Sequence, residues 1–223
     1  MTTYEKQYQA HVDLKDKHGL TRLGVEKNGN WHEDPRRMVF VMSRYKFVSK
    51  MFSGYNRVLE VGCGDAWPVR IVLQEVKSVH GIDIDPVFID DANERMDPKW
   101  PFTVAVHDMT SGPVPEAPFD AAYSLDVLEH ISKDLEEKFL ANVVASLTPT
   151  APLLIGMPSL QSQRYASPLS KIGHINCKDA PEFKALMEKF FHSVFMFSMN
   201  DEVVHTGYAP MAQYYFALCA HKR

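Results

Sequence analysis

The stretch V-L-E-V-G-C-G-D-A, residues 58–66, passes from a short apolar run into two glycines that are separated by one residue. An apolar run that ends in this way is typical of a buried β-strand entering a tight turn. Gly62 and Gly64 lack a Cβ atom, so the chain there can adopt positive φ and a ligand can approach the backbone closely. Because helix-forming sequence follows, free backbone N–H groups of the next helix would favour an anionic group such as a carboxylate. We therefore expect a cofactor site at this turn.

A second apolar run, residues 79–84, carries an acidic residue near its end. Asp83 follows Gly62 at an offset of about 20 residues, which suits hydrogen bonds to ribose hydroxyls. A dinucleotide-binding turn requires a third glycine at position 67, where this chain has Trp67. Glu60 adds an acidic group that would repel a pyrophosphate but accept a hydrogen bond from an ammonium or a hydroxyl. The pattern favours a nucleoside cofactor with a charged amine over a dinucleotide.

Four short motifs follow one another along the chain. They are E-V-G-C-G at 60–64, G-I-D-I-D at 81–85, V-H-D-M at 106–109 and F-D-A-A-Y-S-L-D-V-L-E-H-I at 119–131. In this order they resemble the signature of the class I S-adenosylmethionine-dependent methyltransferases, especially small-molecule O-methyltransferases of the ubiquinone-biosynthesis type. The resemblance extends over residues 44–159. One departure is Ala66, where many relatives have a further glycine.

The resemblance implies S-adenosyl-L-methionine as the cofactor and assigns several residues to it. Asp108 and Met109 would lie beside the adenine, Leu125 near the methionine portion, and Arg44 would reach the cofactor carboxylate. Together with the glycine turn and the acidic residues above, the expected cofactor contacts are Arg44, Glu60, Gly62, Cys63, Gly64, Asp83, Ile84, Asp108, Met109 and Leu125.

Apolar runs alternate with helical patterns on both sides of the glycine turn. An amphipathic helix is predicted over 36–53, further helices near 68–76, 86–96 and 133–147, and strands over 79–84, 102–107, 121–125 and 153–157. This alternation predicts an α/β fold with a mostly parallel, Rossmann-like sheet and helices on both faces. Two last strands, 194–199 and 213–220, are joined by a loop without a helix, so they should be antiparallel. The resemblance implies the same arrangement, a seven-stranded sheet with one reversed strand.

The length of 223 residues and an apolar content of 45% suit a single domain with a buried core. Within it we distinguish an N-terminal arm at 1–35, a cofactor-binding core at 36–159 and substrate-side loops with the last strands at 160–223. The arm is predicted to be a short helix followed by a loop that covers the cofactor.

Composition restricts the partners that we expect. The net charge of −4 gives no basic footprint for nucleic acid or an anionic membrane, so a small-molecule acceptor fits better. Three cysteines cannot all pair, and a reducing cytoplasm is the expected location. No histidine or cysteine pairs occur at zinc-site spacing, so we expect no metal. The sequence leaves the oligomeric state open.

Methyl transfer to a hydroxyl also requires removal of a proton, for which a histidine is suited. His174 and His205 are the catalytic candidates, because both follow late strands, at the edge where open α/β sheets build ligand crevices. Each could instead be an ordinary structural histidine. The leading hypothesis is transfer of a methyl group to a hydroxyl of a sugar or specialised metabolite. The alternatives are a small-molecule N-methyltransferase and a cofactor-binding regulatory protein without turnover.

Overall fold

One sheet of eight strands organises residues 2–223, which are the residues that the computed structural model describes. The strands are β1 Arg57–Val61, β2 Ser78–Asp83, β3 Thr103–Val106, β4 Ala121–Leu125, β5 Leu153–Pro158, β6 Phe191–Asn200, β7 Val203–His205 and β8 Tyr214–Lys222. The α-helices are α1 Gln9–His18, α2 Val25–Glu33, α3 Arg36–Met51, α4 Val69–Val72, α5 Pro86–Glu94, α6 Glu136–Ala145, α7 Pro168–Gly173 and α8 Ala180–Met187. Turns of 3-10 helix occur at Lys6–Tyr8, Leu128–His130, Leu160–Tyr165 and Ala209–Met211.

The sheet order is β3-β2-β1-β4-β5-β8-β6-β7. Strands β1 to β5 are parallel to one another, and β8 is antiparallel to both of its neighbours. The Rossmann-like, mostly parallel sheet and the antiparallel pairing of the last two predicted strands are thereby confirmed. The chain leaves β1 toward β2 and later returns on the other side to β4, so the strand order reverses between β1 and β4. Ligands bind above such a reversal in open α/β sheets.

The structure adds an eighth strand to the seven that were expected. After β6 the chain reverses at Asp201, which has a φ of +50°, and β7 pairs antiparallel with the end of β6. This segment was predicted to be a loop because only two apolar residues, Val203 and Val204, mark the strand. A strand of three residues at a sheet edge is too short to show an alternating pattern.

The N-terminal arm also holds more helix than predicted. Residues 19–34 were assigned to a loop, whereas α2 spans Val25–Glu33 in the structure. Its sequence has a glycine in the middle and no clear apolar face, so helix formation depends on tertiary contacts. The backbone N–H of Lys27 donates to the fully buried carboxylate of Asp65 at 2.9 Å, and the N–H of Val25 donates to Asp91 at 3.2 Å.

Helices cover both faces of the sheet, as expected. Buried side chains of α3, α4 and α5 pack on one face, and those of α6 and α8 pack on the other. All five residues of β4 are buried, which suits a central strand of a parallel sheet covered on both sides. Within residues 2–223, no helix has the length and apolar character that a membrane crossing requires.

Candidate functional site

A cavity of about 570 Å³ lies at the carboxyl ends of β1, β2 and β4, where the strand order reverses. Its volume is in the range of small-molecule sites. All of the predicted cofactor contacts except Arg44 and Glu60 line this cavity. The predicted contacts that line the cavity are Gly62, Cys63, Gly64, Asp83, Ile84, Asp108, Met109 and Leu125.

The glycine turn forms the floor of the cavity. Gly62 has a φ of +76°, and a Cβ atom there would lie 2.2 Å from Cγ2 of Val127. The backbone N–H groups of Gly62 and Cys63 both donate to the carbonyl of Ile82, at 2.8 and 2.9 Å. Gly64 also has positive φ, and its N–H donates to Asp83 at 2.8 Å. The left-handed conformation and the contact with Val127 therefore require glycine at position 62.

Two carboxylates stand on the cavity wall as hydrogen-bond acceptors. Asp83 accepts from the backbone N–H of Gly64 through Oδ2 and from that of Asp85 through Oδ1, at 2.8 and 2.9 Å. Asp108 accepts from the hydroxyl and the N–H of Thr110, which hold the pKa of Asp108 below its usual value. Each carboxylate oxygen has two lone pairs, so both side chains can still accept hydrogen bonds from ligand hydroxyl or amino groups.

Glu60 lies behind the turn and not on the cavity wall. Its side chain is buried and accepts a hydrogen bond from the hydroxyl of Tyr45. Burial raises the pKa of Glu60 to about 7, and the hydrogen bond from Tyr45 opposes that rise. In this structure Glu60 links β1 to α3 under the turn, which differs from the direct ammonium contact that the sequence suggested.

The buried carboxyl of Glu60 should make stability depend on pH. Because folding raises its pKa from 4.5 to about 7, the folded state binds this proton more tightly than the unfolded chain does. The free energy of unfolding should therefore fall as pH rises through this interval, by up to about 3 kcal/mol. Urea unfolding of Glu60→Gln between pH 5 and 8 should lack this fall, since the amide does not ionise. The exposed Glu137→Gln is the control, and equal pH slopes in the wild type and Glu60→Gln would contradict the assignment.

Arg44 binds a protein carboxylate and does not line the cavity. Its Nη1 lies 2.7 and 2.9 Å from the two carboxylate oxygens of Asp126, and its guanidinium stacks on the ring of Tyr214 at 3.9 Å. Asp126 follows β4 with a φ of +58°, a conformation that is uncommon for a residue other than glycine. Arg44 thus positions Asp126, which does line the cavity, and its contact with the cofactor carboxylate stays a prediction.

His174 lies next to a histidine that lines the cavity. The ring centroids of His174 and His130 are 5.3 Å apart, and His130 is part of the cavity wall. The His174 ring is held by a 2.9 Å hydrogen bond between Nδ1 and Oε1 of Gln163. His130 belongs to the L-E-H motif at residues 128–130, which forms a 3-10 turn after β4.

His205 is placed away from the cavity. It lies on β7, the outermost strand. Strands β5, β8 and β6 lie between β7 and β4, the nearest strand of the site. Its Nε2 lies 2.9 Å from Oδ1 of Asn200, and its Nδ1 accepts from the N–H of Gly207 at 2.9 Å. His205 is therefore not part of the cavity wall, and we do not retain it as a catalytic candidate.

Several wall residues escaped the sequence analysis. Glu26 and Lys27 of α2 line the cavity and form an ion pair with an N–O distance of 2.6 Å, and Glu26 lies close to Gly64. Tyr45 of α3 and Phe139 of α6 also line the cavity. The apolar spacing in α3 and α6 marked Tyr45 and Phe139 only as core positions. Such spacing shows which face of a helix is buried, but it does not show what packs against that face.

The chain is similar to known proteins both in sequence and in fold. The sequence profile of a family described as "Methyltransferase domain" matches residues 58–150. The crystal structure of the N-methyltransferase NodS from Bradyrhizobium japonicum WM9, in complex with S-adenosyl-L-homocysteine, is similar with a TM-score of 0.65 at 18% identity. The similarity covers 86% of this chain and 90% of NodS. Residues 58–150 are a methyltransferase domain, and the fold of the chain is that of S-adenosylmethionine-dependent methyltransferases.

Two further relatives of the methyltransferase domain have different acceptors in their names. The phosphoethanolamine N-methyltransferase of Plasmodium falciparum (isolate 3D7) is 30% identical over 101 residues, which are 45% of this chain and 38% of that protein. The chain thus spans less than half the length of this curated relative. The crystal structure of the small RNA methyltransferase HEN1 has a TM-score of 0.67 at 16% identity, covering 82% of this chain and 26% of that one.

S-adenosyl-L-methionine is the cofactor of this methyltransferase family. The residues of the cavity fit it: a glycine turn that no side chain can fill, acidic acceptors for hydroxyl and amino groups, and apolar side chains such as Met109 and Leu125. The fit is independent of the family match, since it rests on the shape and chemistry of the cavity wall.

Proposed function

We propose that this chain transfers the methyl group of S-adenosyl-L-methionine to a hydroxyl of a small molecule, a sugar or a specialised metabolite. The observation that carries the proposal is the composition of the cavity beyond the glycine turn. There it is lined by Asp126, Val127, His130, Ile131 and Phe139, a mixture of apolar and polar side chains. Such a wall suits a small acceptor that is positioned by a few polar contacts.

The chain's own contribution to the reaction would be alignment and exclusion of water. S-adenosyl-L-methionine, when bound, would supply an electrophilic sulfonium methyl group and would leave as S-adenosyl-L-homocysteine. The apolar side chains of Val127 and Ile131 line this region and would exclude water from it. Holding both reactants in line is worth roughly 7–11 kcal/mol. The hydroxyl proton must also leave, and the carboxylate of Asp126 on the cavity wall would accept it.

Charge supports a small molecule over RNA as the acceptor, although one structural relative is named an RNA methyltransferase. Nucleic-acid affinity comes mainly from lysine and arginine that neutralise phosphates. The net charge is −4, and the cavity wall carries four carboxylates, Glu26, Asp83, Asp108 and Asp126, against one lysine, Lys27. A phosphate backbone would meet repulsion at this site.

A nitrogen acceptor is the second candidate. It is supported by the names of two relatives, the phosphoethanolamine N-methyltransferase and the N-methyltransferase NodS. An amine that is already unprotonated needs no stabilised oxyanion, so this reaction would depend less on the polar groups beside β4.

Transfer of radiolabelled methyl groups tests the proposal. The full chain is incubated with methyl-labelled S-adenosyl-L-methionine and three acceptor sets: small hydroxyl compounds (sugars and phenols), small amines including phosphoethanolamine, and short single-stranded RNA. We expect labelled product in the hydroxyl set. Label found only in amines or only in RNA would overturn the hydroxyl assignment, and binding without transfer to any set would overturn the enzymatic one.

A further inference from the structure

Three side chains with metal-binding atoms converge at the β4 end of the cavity. Glu129, His130 and His174 each place one ligand atom within 4.8 Å of those of the other two. Glu129 and His130 belong to the 3-10 turn Leu128–His130, and His174 ends α7. The main-chain carbonyl of Glu129 accepts from the N–H groups of Ile175 and Asn176, at 2.9 and 3.0 Å, so the two segments are joined.

Glu129 is buried without a partner for its charge. Its side chain has 0% exposure, and neither of its carboxylate oxygens has a hydrogen-bond partner among residues 2–223. Burial of a carboxylate is costly unless the group is paired or binds a metal, and buried polar groups in proteins are nearly always satisfied. The carboxylate lies beside two imidazoles, so a cation shared with them would satisfy it.

Each imidazole is held by a hydrogen-bond contact at Nδ1, which leaves Nε2 for a cation. Nδ1 of His130 lies 2.9 Å from the carbonyl oxygen of Gly173, which can only accept, so Nδ1 carries the proton and Nε2 has a free lone pair. Nδ1 of His174 makes the equivalent contact with Oε1 of Gln163 at 2.9 Å. A hydrogen bond from the second ring nitrogen to an oxygen is the usual arrangement of metal-binding histidines.

The charge around the cluster also favours a cation. The region holds two carboxylates, Asp126 and Glu129, and one cation, Arg44, which forms an ion pair with Asp126 at 2.7 Å. The charge of the Glu129 carboxylate is therefore not balanced by Arg44. Gly173 packs so closely on His130 that a Cβ atom there would lie 3.0 Å from Cε1 and Nδ1 of the ring, which fixes the imidazole in place.

We propose that Glu129, His130 and His174 bind a divalent transition-metal cation at the acceptor end of the cavity. Two imidazoles and one carboxylate suit zinc, cobalt or manganese and leave coordination positions open. Because His130 lines the cavity, an open position would face the acceptor. This inference departs from the expectation of no metal, which rested on spacing within the sequence. His174 comes from a segment distant in sequence, and only the fold brings it to His130.

The role of the cation rests on the proposed hydroxyl acceptor. A bound divalent cation would lower the pKa of a coordinated hydroxyl, whose proton would pass to the carboxylate of Asp126. The resulting alkoxide would take the methyl group as the bond between that group and the cofactor sulfur breaks. The site thus serves as the oxyanion-stabilising group of the reaction, and His174 acts as a ligand and not as a general base.

Cobalt binding tests the site without any methyl transfer. Metal-free full-length protein is titrated with Co²⁺, followed by its visible absorption and by calorimetry, and the titration is repeated with Glu129→Gln, His174→Ala and His192→Ala. We expect one Co²⁺ per chain in the wild type and in His192→Ala, whose histidine is exposed on β6. We expect affinity at least ~10–100-fold weaker in the two ligand variants. Circular dichroism monitors folding, and Glu129→Gln is close in shape and removes a buried charge.

The outcomes separate this inference from the proposed function. Equal Co²⁺ affinity in the wild type, Glu129→Gln and His174→Ala would overturn the metal site. Methylation of hydroxyl compounds that continues unchanged in a chelator would do the same while leaving the proposed function intact. Co²⁺ binding at these residues together with no methylation of hydroxyl compounds would support the site and overturn the function.

Discussion

A Gly62→Ala variant is expected to lose both stability and affinity for S-adenosyl-L-homocysteine. The left-handed conformation at φ +76° costs an alanine about 1–2 kcal/mol. The added Cβ atom would also lie 2.2 Å from Cγ2 of Val127, a stiff β-branched side chain on the cavity wall. We expect a total loss of about 2–4 kcal/mol in the free energy of unfolding and a fall of roughly tenfold or more in ligand affinity. Urea unfolding and calorimetric titration measure the two effects.

Gly29→Ala is the matched control for this substitution. Gly29 lies in the middle of α2, it has no positive φ, and no atom lies within 4 Å of the position of an added Cβ. Alanine should therefore stabilise the helix by about 0.5–1 kcal/mol, an effect of opposite sign. The double variant Gly62→Ala, Val127→Ala should regain the part of the loss that comes from the contact. Similar effects at positions 62 and 29 would show that the turn tolerates a side chain.

A Lys178→Met variant is expected to be strongly destabilised. Nζ of Lys178 lies 2.6 Å from Oε2 of Glu136, and each of the two residues is 6% exposed. Asn176 joins the pair by donating to Glu136 at 2.7 Å and accepting from Lys178 at 3.0 Å. Removal of one partner leaves the other charge buried without compensation, which costs about 3–5 kcal/mol. The loss should appear as a lower urea midpoint with an unchanged slope.

The neighbouring residue of α6 provides the control. Glu137 pairs with Lys189 at the same distance, 2.6 Å, but those side chains are 60% and 53% exposed. Lys189→Met should leave the urea midpoint unchanged within error, because exposed pairs contribute little. The double variant Lys178→Met, Glu136→Leu should recover most of the lost stability, since no unpaired charge remains. Equal effects of Lys178→Met and Lys189→Met would contradict the role that burial has here.

The sheet and the glycine turn could be predicted because their signals are local. Residues 58–61 and 121–125 are mainly apolar runs, each with one polar residue, and the glycines at 62 and 64 come directly after the first run. Parallel strands buried on both faces produce such runs, and the acidic residues at their ends mark the edge at which ligands bind. The position of Asp83 on the cavity wall follows from the same reasoning, and that of Asp108 from the family resemblance. Direct contact of these residues with the cofactor stays a prediction.

The rest of the site depends on contacts between distant segments. The partner of Arg44 is Asp126, and α2 depends on Asp65, a residue that is fully buried in the glycine turn. The role of Glu60 likewise depends on Tyr45 of α3. Sequence spacing predicts which residues share one element, but the partner of a side chain across elements depends on tertiary packing. For the same reason the two candidate histidines, which looked equivalent in sequence, occupy different places in the fold.

The central claim is that the cavity above the glycine turn binds an adenosine-bearing methyl donor. Calorimetric titration of the folded full-length chain with S-adenosyl-L-homocysteine tests it most directly, with NAD as the comparison ligand. We predict saturable binding of one S-adenosyl-L-homocysteine per chain, weakened in Gly62→Ala, and no binding of NAD. Folded protein that takes up no S-adenosyl-L-homocysteine, or that binds NAD in its place, would contradict the account.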